Sequence, residues 1–140
     1  MQAHDNVEYI GEIGELEKAR FLGEARALLF PIDWEEPFGL VMIEAMAYGT
    51  PVIAFGRGSV PEVIDDGVSG FIVHTVEEAV RALARLDSLD RTAVRAQFET
   101  RFTVERMARD YVDVYERIAA ASQTRGFVAD QRPMLERRVV

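Results

Sequence analysis

The feature that most constrains this chain is an apolar stretch between Pro37 and Pro51. Pro37 lacks an N–H and has a fixed φ that suits a first helical turn. Gly49 and Pro51 are typical of the far end of a helix. The pattern predicts a helix from about Phe38 to Tyr48, and its apolar residues on every side indicate that it is packed all round. Such a helix requires other elements to cover it.

A single carboxylate, Glu44, lies within this apolar helix. A buried acid without a partner costs several kcal/mol or loses its charge, on the order of the penalties for polar burial. Glu44 is therefore expected either to pair with a lysine or arginine or to await a polar ligand, and the sequence leaves both possibilities open.

Short apolar runs on both sides of this helix predict strands. Runs without polar alternation suit strands that are buried on both faces, as in a parallel sheet. Helical spacing between Glu12 and Arg26 separates the first run from the second. The alternation predicts an α/β fold with a short parallel sheet and right-handed crossovers. The apolar runs are Ala27–Phe30, Pro51–Phe55 and Gly70–Val73, and they are preceded by a short β-prone run at Val7–Ile10, which includes Glu8.

The remainder of the chain is predicted to be helical. Thr75 and Glu78 have the spacing of a capping box, Asp90 to Glu99 forms a second helix, and Thr103 can cap a third. We predict that an apolar stripe on the third helix packs into a core. After Ala121 the periodicity fades and Gly126 and Pro133 should break any helix, so residues 1–121 are predicted as a domain and 122–140 as a flexible or docking tail. The stripe contains Met107, Ala108, Tyr111, Val112, Tyr115 and Ile118.

Composition limits the functional classes. The 140 residues, 49% hydrophobic and 29% charged, are typical of one globular domain, and the absence of cysteine excludes disulfides. His4 and His74 lack the spacing of metal ligands, and no run has the length of a membrane span or a signal-peptide core. We therefore expect a cytoplasmic protein. The net charge of −8 argues against nucleic-acid binding and fits an anionic ligand poorly.

The loop before the central helix is the expected ligand site. In open α/β sheets ligands bind at the carboxyl ends of strands, and the loop from Pro31 to Phe38 leaves such an end. The backbone amides of Phe38, Gly39 and Leu40, together with the helix dipole, could bind phosphate.

Two carboxylates flank this site. Glu36 and Glu44 are eight residues apart, about 12 Å of helical rise, which is too far for an acid/base pair that acts on one bond. They could instead hold the two ends of an extended polar ligand, with a diphosphate between them, as in a nucleotide sugar. Carboxylates suit sugar hydroxyls because they only accept hydrogen bonds. The alternative is a solvated Glu36 and a Glu44 that pairs with a basic side chain.

The segment EPFGLVMIEAMAYGTPVIA resembles the donor-binding signature of the family 4 retaining glycosyltransferases, which have the GT-B fold. Glu36 and Glu44 match the Glu-x7-Glu pair of that signature. The resemblance extends over residues 7 to about 118, including the downstream segment Gly58–Val63.

The resemblance implies a role for each site residue. Glu36 would be the catalytic residue that contacts hydroxyls of the donor sugar, and the amides of Phe38, Gly39 and Leu40 would meet the sugar and the diphosphate. Glu44 would bind the ribose hydroxyls. The reaction would be transfer of a hexose with retention, with a nucleotide sugar as donor and with neither a bound metal nor a cofactor.

The chain resembles only the later part of the family's second domain. We therefore expect a Rossmann-like three-layer domain that is part of the C-terminal half of a GT-B enzyme, with a helical C-terminus. The N-terminal half and the upstream basic pair are missing, so we expect no activity from the chain alone. The open sheet edge should be covered, most simply by a second copy of the chain or by the folded-over tail, and the expected partners are the missing N-terminal half or a second copy.

Two other functions are considered. One is a noncatalytic binding or assembly module that keeps the fold. The other is another enzyme on the same scaffold, such as a nucleotide-sugar epimerase, which is disfavoured because it does not account for Glu36 and Glu44.

Overall fold

A computed structural model describes residues 6–129, with side chains described to residue 122. The chain forms two compact units that divide after Phe102. The first contains strands β1 (Leu28–Phe30), β2 (Val52–Phe55) and β3 (Gly70–Val73), helices α1 (Glu15–Glu24), α2 (Leu40–Ala47), α3 (Val60–Val63), α4 (Val76–Leu83) and α5 (Arg91–Arg101), and a 3₁₀ turn at Leu86–Ser88. The second contains α6 (Val104–Ala129).

The three strands form a parallel sheet in the order β1-β2-β3. Leu29 of β1 pairs with Ile53, and Ile53 pairs with Phe71 of β3. The predicted α/β fold with a short parallel sheet is confirmed.

Helices cover both faces of the central strand. Val52 and Ala54 of β2 are fully buried in one core cluster, whereas Ile53 points into another. Successive residues of a strand point to opposite faces, so the sheet is the middle of three layers. The first cluster comprises Leu22, Met42, Ala45, Met46, Val52, Ala54, Val60, Val63, Ile64 and Val94, and the second comprises Ile53, Phe71, Val73, Ala82, Leu86 and Leu89.

Arg91 ties the end of α1 to the start of α5. Its guanidinium donates to the carbonyl oxygens of Ala25 at 2.7 Å and Gly23 at 2.8 Å, and to Thr50 Oγ1 at 2.9 Å. The buried Thr50 hydroxyl in turn donates to the Leu22 carbonyl at 2.6 Å. Carbonyls at a helix C-terminus lack intrahelical partners, so this network satisfies them and fixes α1 in place.

The predicted strand at Val7–Ile10 does not form. Val7 is 66% exposed and Tyr9 is 88% exposed, and the segment has no regular structure. Within the described residues nothing covers these side chains, so ordering a strand there would lose conformational entropy without burying apolar surface.

Helix α2 begins two residues later than predicted and is buried on one side only. Gly39 precedes the helix with a φ of 72°, a left-handed conformation that no residue inside a right-handed helix adopts. The helix therefore begins only after Gly39, and Pro37 is not in its first turn. Met42 and Met46 are fully buried, whereas Leu40 is 65% exposed. The expectation of a helix packed all round is therefore wrong.

The two edges of the sheet differ. At β3 the Ile72 amide donates to the Asp66 carboxylate at 2.9 Å. This hydrogen bond occupies an N–H group to which a further strand would otherwise pair. At β1 Leu29 is about half exposed, so this strand is not buried on both faces as predicted, and no strand in the described part of the chain lies beyond it. The β1 edge remains open in this part of the chain.

The apolar stripe of α6 is exposed, and its predicted core packing is wrong. Met107, Tyr111 and Ile118 are each more than half exposed. Their unit consists, within the described residues, of this helix alone. The helix also continues through Gly126, where a break was expected, while residues 130–140 of the predicted tail lie outside the described residues.

No helix between residues 6 and 129 combines the length and the hydrophobicity needed to cross a membrane.

The pairing of β2 with β3 should depend on Gly70. A Cβ at this position would overlap the carbonyl oxygen of Val52. Gly70→Ala is expected to lower the free energy of unfolding by roughly 1–3 kcal/mol, the usual cost of overpacking, in urea denaturation. The control is Gly14→Ala, where the added methyl group has room. Equal stability of the two variants would contradict the close strand contact.

Candidate functional site

The candidate site lies where β1 and β2 end. The β1 loop, residues 31–39, leaves the carboxyl end of β1, and the β2 loop, residues 56–59, leaves that of β2. Carboxyl ends of parallel strands meet at one edge of a sheet, which is where open α/β folds bind ligands. This is the position predicted for the ligand site.

The two loops are bound closely to each other. The Gly58 amide donates to the Glu35 carboxylate at 2.7 Å, and the Ser59 amide donates to the Glu36 carbonyl at 2.8 Å. Arg57 forms an ion pair with Asp33 at 2.9 Å. Gly58 has a φ of 52°, and a Cβ there would overlap the backbone of Glu36, so only glycine allows this approach.

The Glu36 carboxylate occupies the start of α2. Its Oε1 accepts from the Gly39 amide at 2.9 Å and more weakly from the Phe38 amide at 3.4 Å. Its Oε2 accepts from the Trp34 indole at 3.1 Å. Two of the amides considered for a phosphate are thus already bound by an anion of the chain itself. A ligand phosphate would reach them only after Glu36 shifts.

Glu44 has a basic partner. Lys18 of α1 places Nζ 3.0 Å from Glu44 Oε1 and 2.9 Å from Glu15 Oε1. The Glu44 side chain is still 36% exposed, and its Oε2 accepts no hydrogen bond from the described residues. Of the two possibilities left open by the sequence, the basic partner is therefore present, and the carboxylate keeps one oxygen for a further contact.

The carboxylates around Lys18 raise the pKa of its ammonium group. The hydrogen bond to Glu15 contributes most and that to Glu44 follows. Because opposite charges favour the charged form, Lys18 stays protonated above the pH at which a free lysine titrates. The ammonium group of Lys18 therefore keeps its charge in the alkaline range in which a free lysine begins to lose it.

A cavity of about 520 Å³ opens between the two loops. Three of its lining side chains are carboxylates and none is basic, so it suits hydroxyl or cationic groups better than phosphate. Glu36 and Phe38 line this cavity, whereas Gly39, Leu40 and Glu44 do not. The lining residues are Glu35, Glu36, Pro37, Phe38, Gly58, Ser59, Glu62, Val63 and Phe102.

No three His, Asp or Glu side chains in the described part of the chain lie close enough to hold a metal ion.

Sequence reasoning missed three contributors to the site. Trp34 and Glu35 immediately precede Glu36, which was predicted to act with Glu44. They lie in a loop, where no periodic pattern of residues indicates a role. Lys18 could have been found, because it is the only lysine of the chain and lies four residues before the buried Leu22 on α1. Glu62, in the downstream segment Gly58–Val63 that shares the resemblance, also lines the cavity.

Comparison with known proteins places the chain in a family. The model of the glycosyl transferases group 1 matches residues 1–101. The uncharacterized 41.2 kDa protein in the cps region of Klebsiella pneumoniae is 36% identical over 119 residues, which cover 80% of this chain and 33% of that protein. The D-inositol 3-phosphate glycosyltransferase of Nocardioides sp. is 36% identical over 121 residues, 81% of this chain and 26% of that protein.

A solved structure gives the same assignment. Sucrose-phosphate synthase from Thermosynechococcus elongatus matches with a TM-score of 0.70 and 29% identity, over 84% of this chain and 31% of that one. The chain thus spans about a third or less of the proteins that it matches here. Its fold is part of a GT-B glycosyltransferase domain.

The hydrogen bonds of Glu36 should stabilise the start of α2. Glu36→Ala removes the acceptor for the Gly39 and Phe38 amides and is expected to lower the free energy of unfolding by about 0.5–2 kcal/mol, as for other lost helix caps. Glu36→Gln keeps an oxygen that can accept these hydrogen bonds, so its free energy of unfolding should fall by less. Urea denaturation measures both, and an unchanged stability of Glu36→Ala would show that the carboxylate is not bound at the helix start.

Proposed function

This chain belongs to the group 1 glycosyl transferases, and on that premise we propose that it is the nucleotide-sugar-binding part of a retaining hexosyltransferase of family 4. The observation that supports the proposal is the position of the signature, which begins with Glu36 in the loop at the carboxyl end of β1 and continues through the start of α2 to Glu44. Glu36 lines the cavity with two other carboxylates, the N-terminus of α2 follows it in the chain, and Glu44 lies one turn further along the helix with its side chain partly exposed.

The sugar end of the donor would lie in the cavity. The carboxylates of Glu36 and Glu62 can accept hydrogen bonds from its hydroxyls, and the Phe102 and Phe38 rings supply apolar surface. Glu36 would be the catalytic residue, because a carboxylate beside the sugar stabilises the positive charge that develops in an oxocarbenium-like transition state.

The diphosphate would lie at the N-terminus of α2. The Leu40 amide is at the first helical residue, and the Gly39 and Phe38 amides become accessible when Glu36 turns from them towards the sugar. A helix N-terminus favours anions through its free N–H groups and its dipole. Beyond the diphosphate, the nucleotide ribose would reach Glu44.

Neutralising the diphosphate requires cations that the cavity lining lacks. We propose that further polypeptide of the whole enzyme supplies them together with the acceptor site, in keeping with the greater length of the matched relatives. The half-exposed Leu29 on the open β1 edge would contact that polypeptide or a second copy of the chain.

A noncatalytic assembly module is the second candidate function. The observation that favours it is the exposed apolar stripe of α6, which offers a surface for a protein partner. A chain of this type would bind no nucleotide.

Nucleotide binding distinguishes the two candidates. Isothermal titration of the purified chain with uridine, guanosine and adenosine diphosphates is expected to show binding of at least one of them. Glu44→Gln should weaken that binding about tenfold or more, since a hydrogen bond to a charged group contributes roughly 1.5–3 kcal/mol. The control, Glu24→Gln, removes an exposed carboxylate that pairs with Arg20 on α1. No binding of any diphosphate would favour the assembly module.

The chain alone should not transfer sugar. Incubation with nucleotide sugars and a panel of acceptors is expected to give no glycosylated product, because the acceptor site and the diphosphate cations come from elsewhere. Product detected by mass spectrometry, and absent with Glu36→Ala, would contradict this expectation.

A further inference from the structure

Lys18 is the only lysine among the 16 basic residues of the chain. It lies on α1, 26 positions before Glu44, and its ammonium bridges Glu15 on its own helix and Glu44 on α2. We propose that Lys18 is a positioning residue, which binds Oε1 of Glu44 and so presents Oε2 to the ribose hydroxyls of the nucleotide. This inference rests on the proposed function, in which Glu44 is the ribose-binding residue.

The geometry of the carboxylate supports this role. A carboxylate is planar, so a bond to one oxygen fixes the direction of the other. Oε1 lies 3.0 Å from the ammonium, and Oε2 accepts no hydrogen bond from the described residues. A free glutamate side chain loses rotamer entropy when a ligand fixes it in one conformation. Lys18 fixes the Glu44 side chain before the ligand arrives, so less rotamer entropy is lost on binding.

Lys18 is itself held in place. Its side chain is only 25% exposed, and the second ion pair with Glu15 leaves the ammonium little freedom. Helix α1 is anchored in turn, since Arg91 and Thr50 bind the carbonyls at its C-terminus. A helix that is anchored at its C-terminus thus carries the side chain that orients Glu44.

The same contacts are also compatible with a simpler role, in which the ion pair only ties α1 to α2. The two roles differ in one property. An ion pair that only joins the two helices contributes to stability. A positioning residue also determines how strongly the site prefers a ribose that carries both hydroxyls.

The experiment measures that preference. The nucleoside diphosphate that wild type binds best, and its 2′-deoxy and 3′-deoxy counterparts, are titrated by calorimetry into wild type, Lys18→Met and Lys18→Arg. Wild type is expected to prefer the ribonucleotide over at least one deoxy form by about tenfold or more. In Lys18→Met the preference should fall to about twofold or less, through weaker binding of the ribonucleotide, and in Lys18→Arg it should largely return.

Arg20→Met is the matched control. It breaks an ion pair on the same helix, with Glu24, but both partners are mostly exposed, and the polar partner of Glu44 on this helix is Lys18. It should keep the wild-type preference. A Lys18→Met protein that remains folded and prefers ribose as strongly as wild type does would overturn the positioning role.

A second measurement needs no variant. As the only lysine, Lys18 gives a single ammonium side-chain signal in ¹H–¹⁵N NMR spectra. The signal should shift when the ribonucleotide binds and shift less with the deoxy form that binds more weakly. Identical shifts with all three nucleotides would contradict the inference even if Lys18→Met did not fold.

The failure of the proposed function has a different signature. The proposed function fails if wild type binds no nucleoside diphosphate, or if Glu44→Gln binds it as well as wild type does. The role of Lys18 then fails with it. Binding that depends on Glu44 but keeps its ribose preference in Lys18→Met overturns the inference alone.

Discussion

Backbone contact at Gly58 holds the two loops of the site together. A residue with a side chain could not approach the backbone of Glu36 so closely, and the amides of Gly58 and Ser59 bind the Glu35 carboxylate and the Glu36 carbonyl. Because the loops leave adjacent parallel strands, this contact fixes the β1 loop over the start of α2. Residues of both loops line the cavity, so its shape depends on this contact.

Charge is distributed in the site in an unusual way for a protein that would bind a diphosphate. The cavity lining contains three carboxylates, and Glu36 occupies amides that an anionic ligand would use. The one ammonium group nearby is bound to Glu15 and Glu44. We infer that the described residues recognise the neutral, hydroxylated parts of a donor, its sugar and its ribose, and that cations for the phosphates come from other polypeptide.

The sequence predicted the parts of the fold that depend on local pattern. The strands at Pro51–Phe55 and Gly70–Val73 and the caps at Thr75 and Thr103 are confirmed within a residue or two, because apolar runs and capping side chains act over short distances. The predictions of a strand at Val7–Ile10 and of core packing for the α6 stripe were wrong, since a local pattern does not show whether another segment covers it, and both segments are exposed. The pairing of Glu44 with Lys18 joins residues 26 positions apart and could only be left as one of two possibilities.

A crystal structure of the chain with its tightest-binding nucleotide sugar tests the central claim most directly. The sugar should lie in the cavity beside Glu36, the diphosphate at the Leu40 amide with Glu36 turned away from Gly39, and the ribose within hydrogen-bond distance of Glu44 Oε2. A nucleotide bound elsewhere, with Glu36 still on the Gly39 amide and Glu44 in contact only with Lys18, would show that these residues stabilise the fold and do not bind a donor.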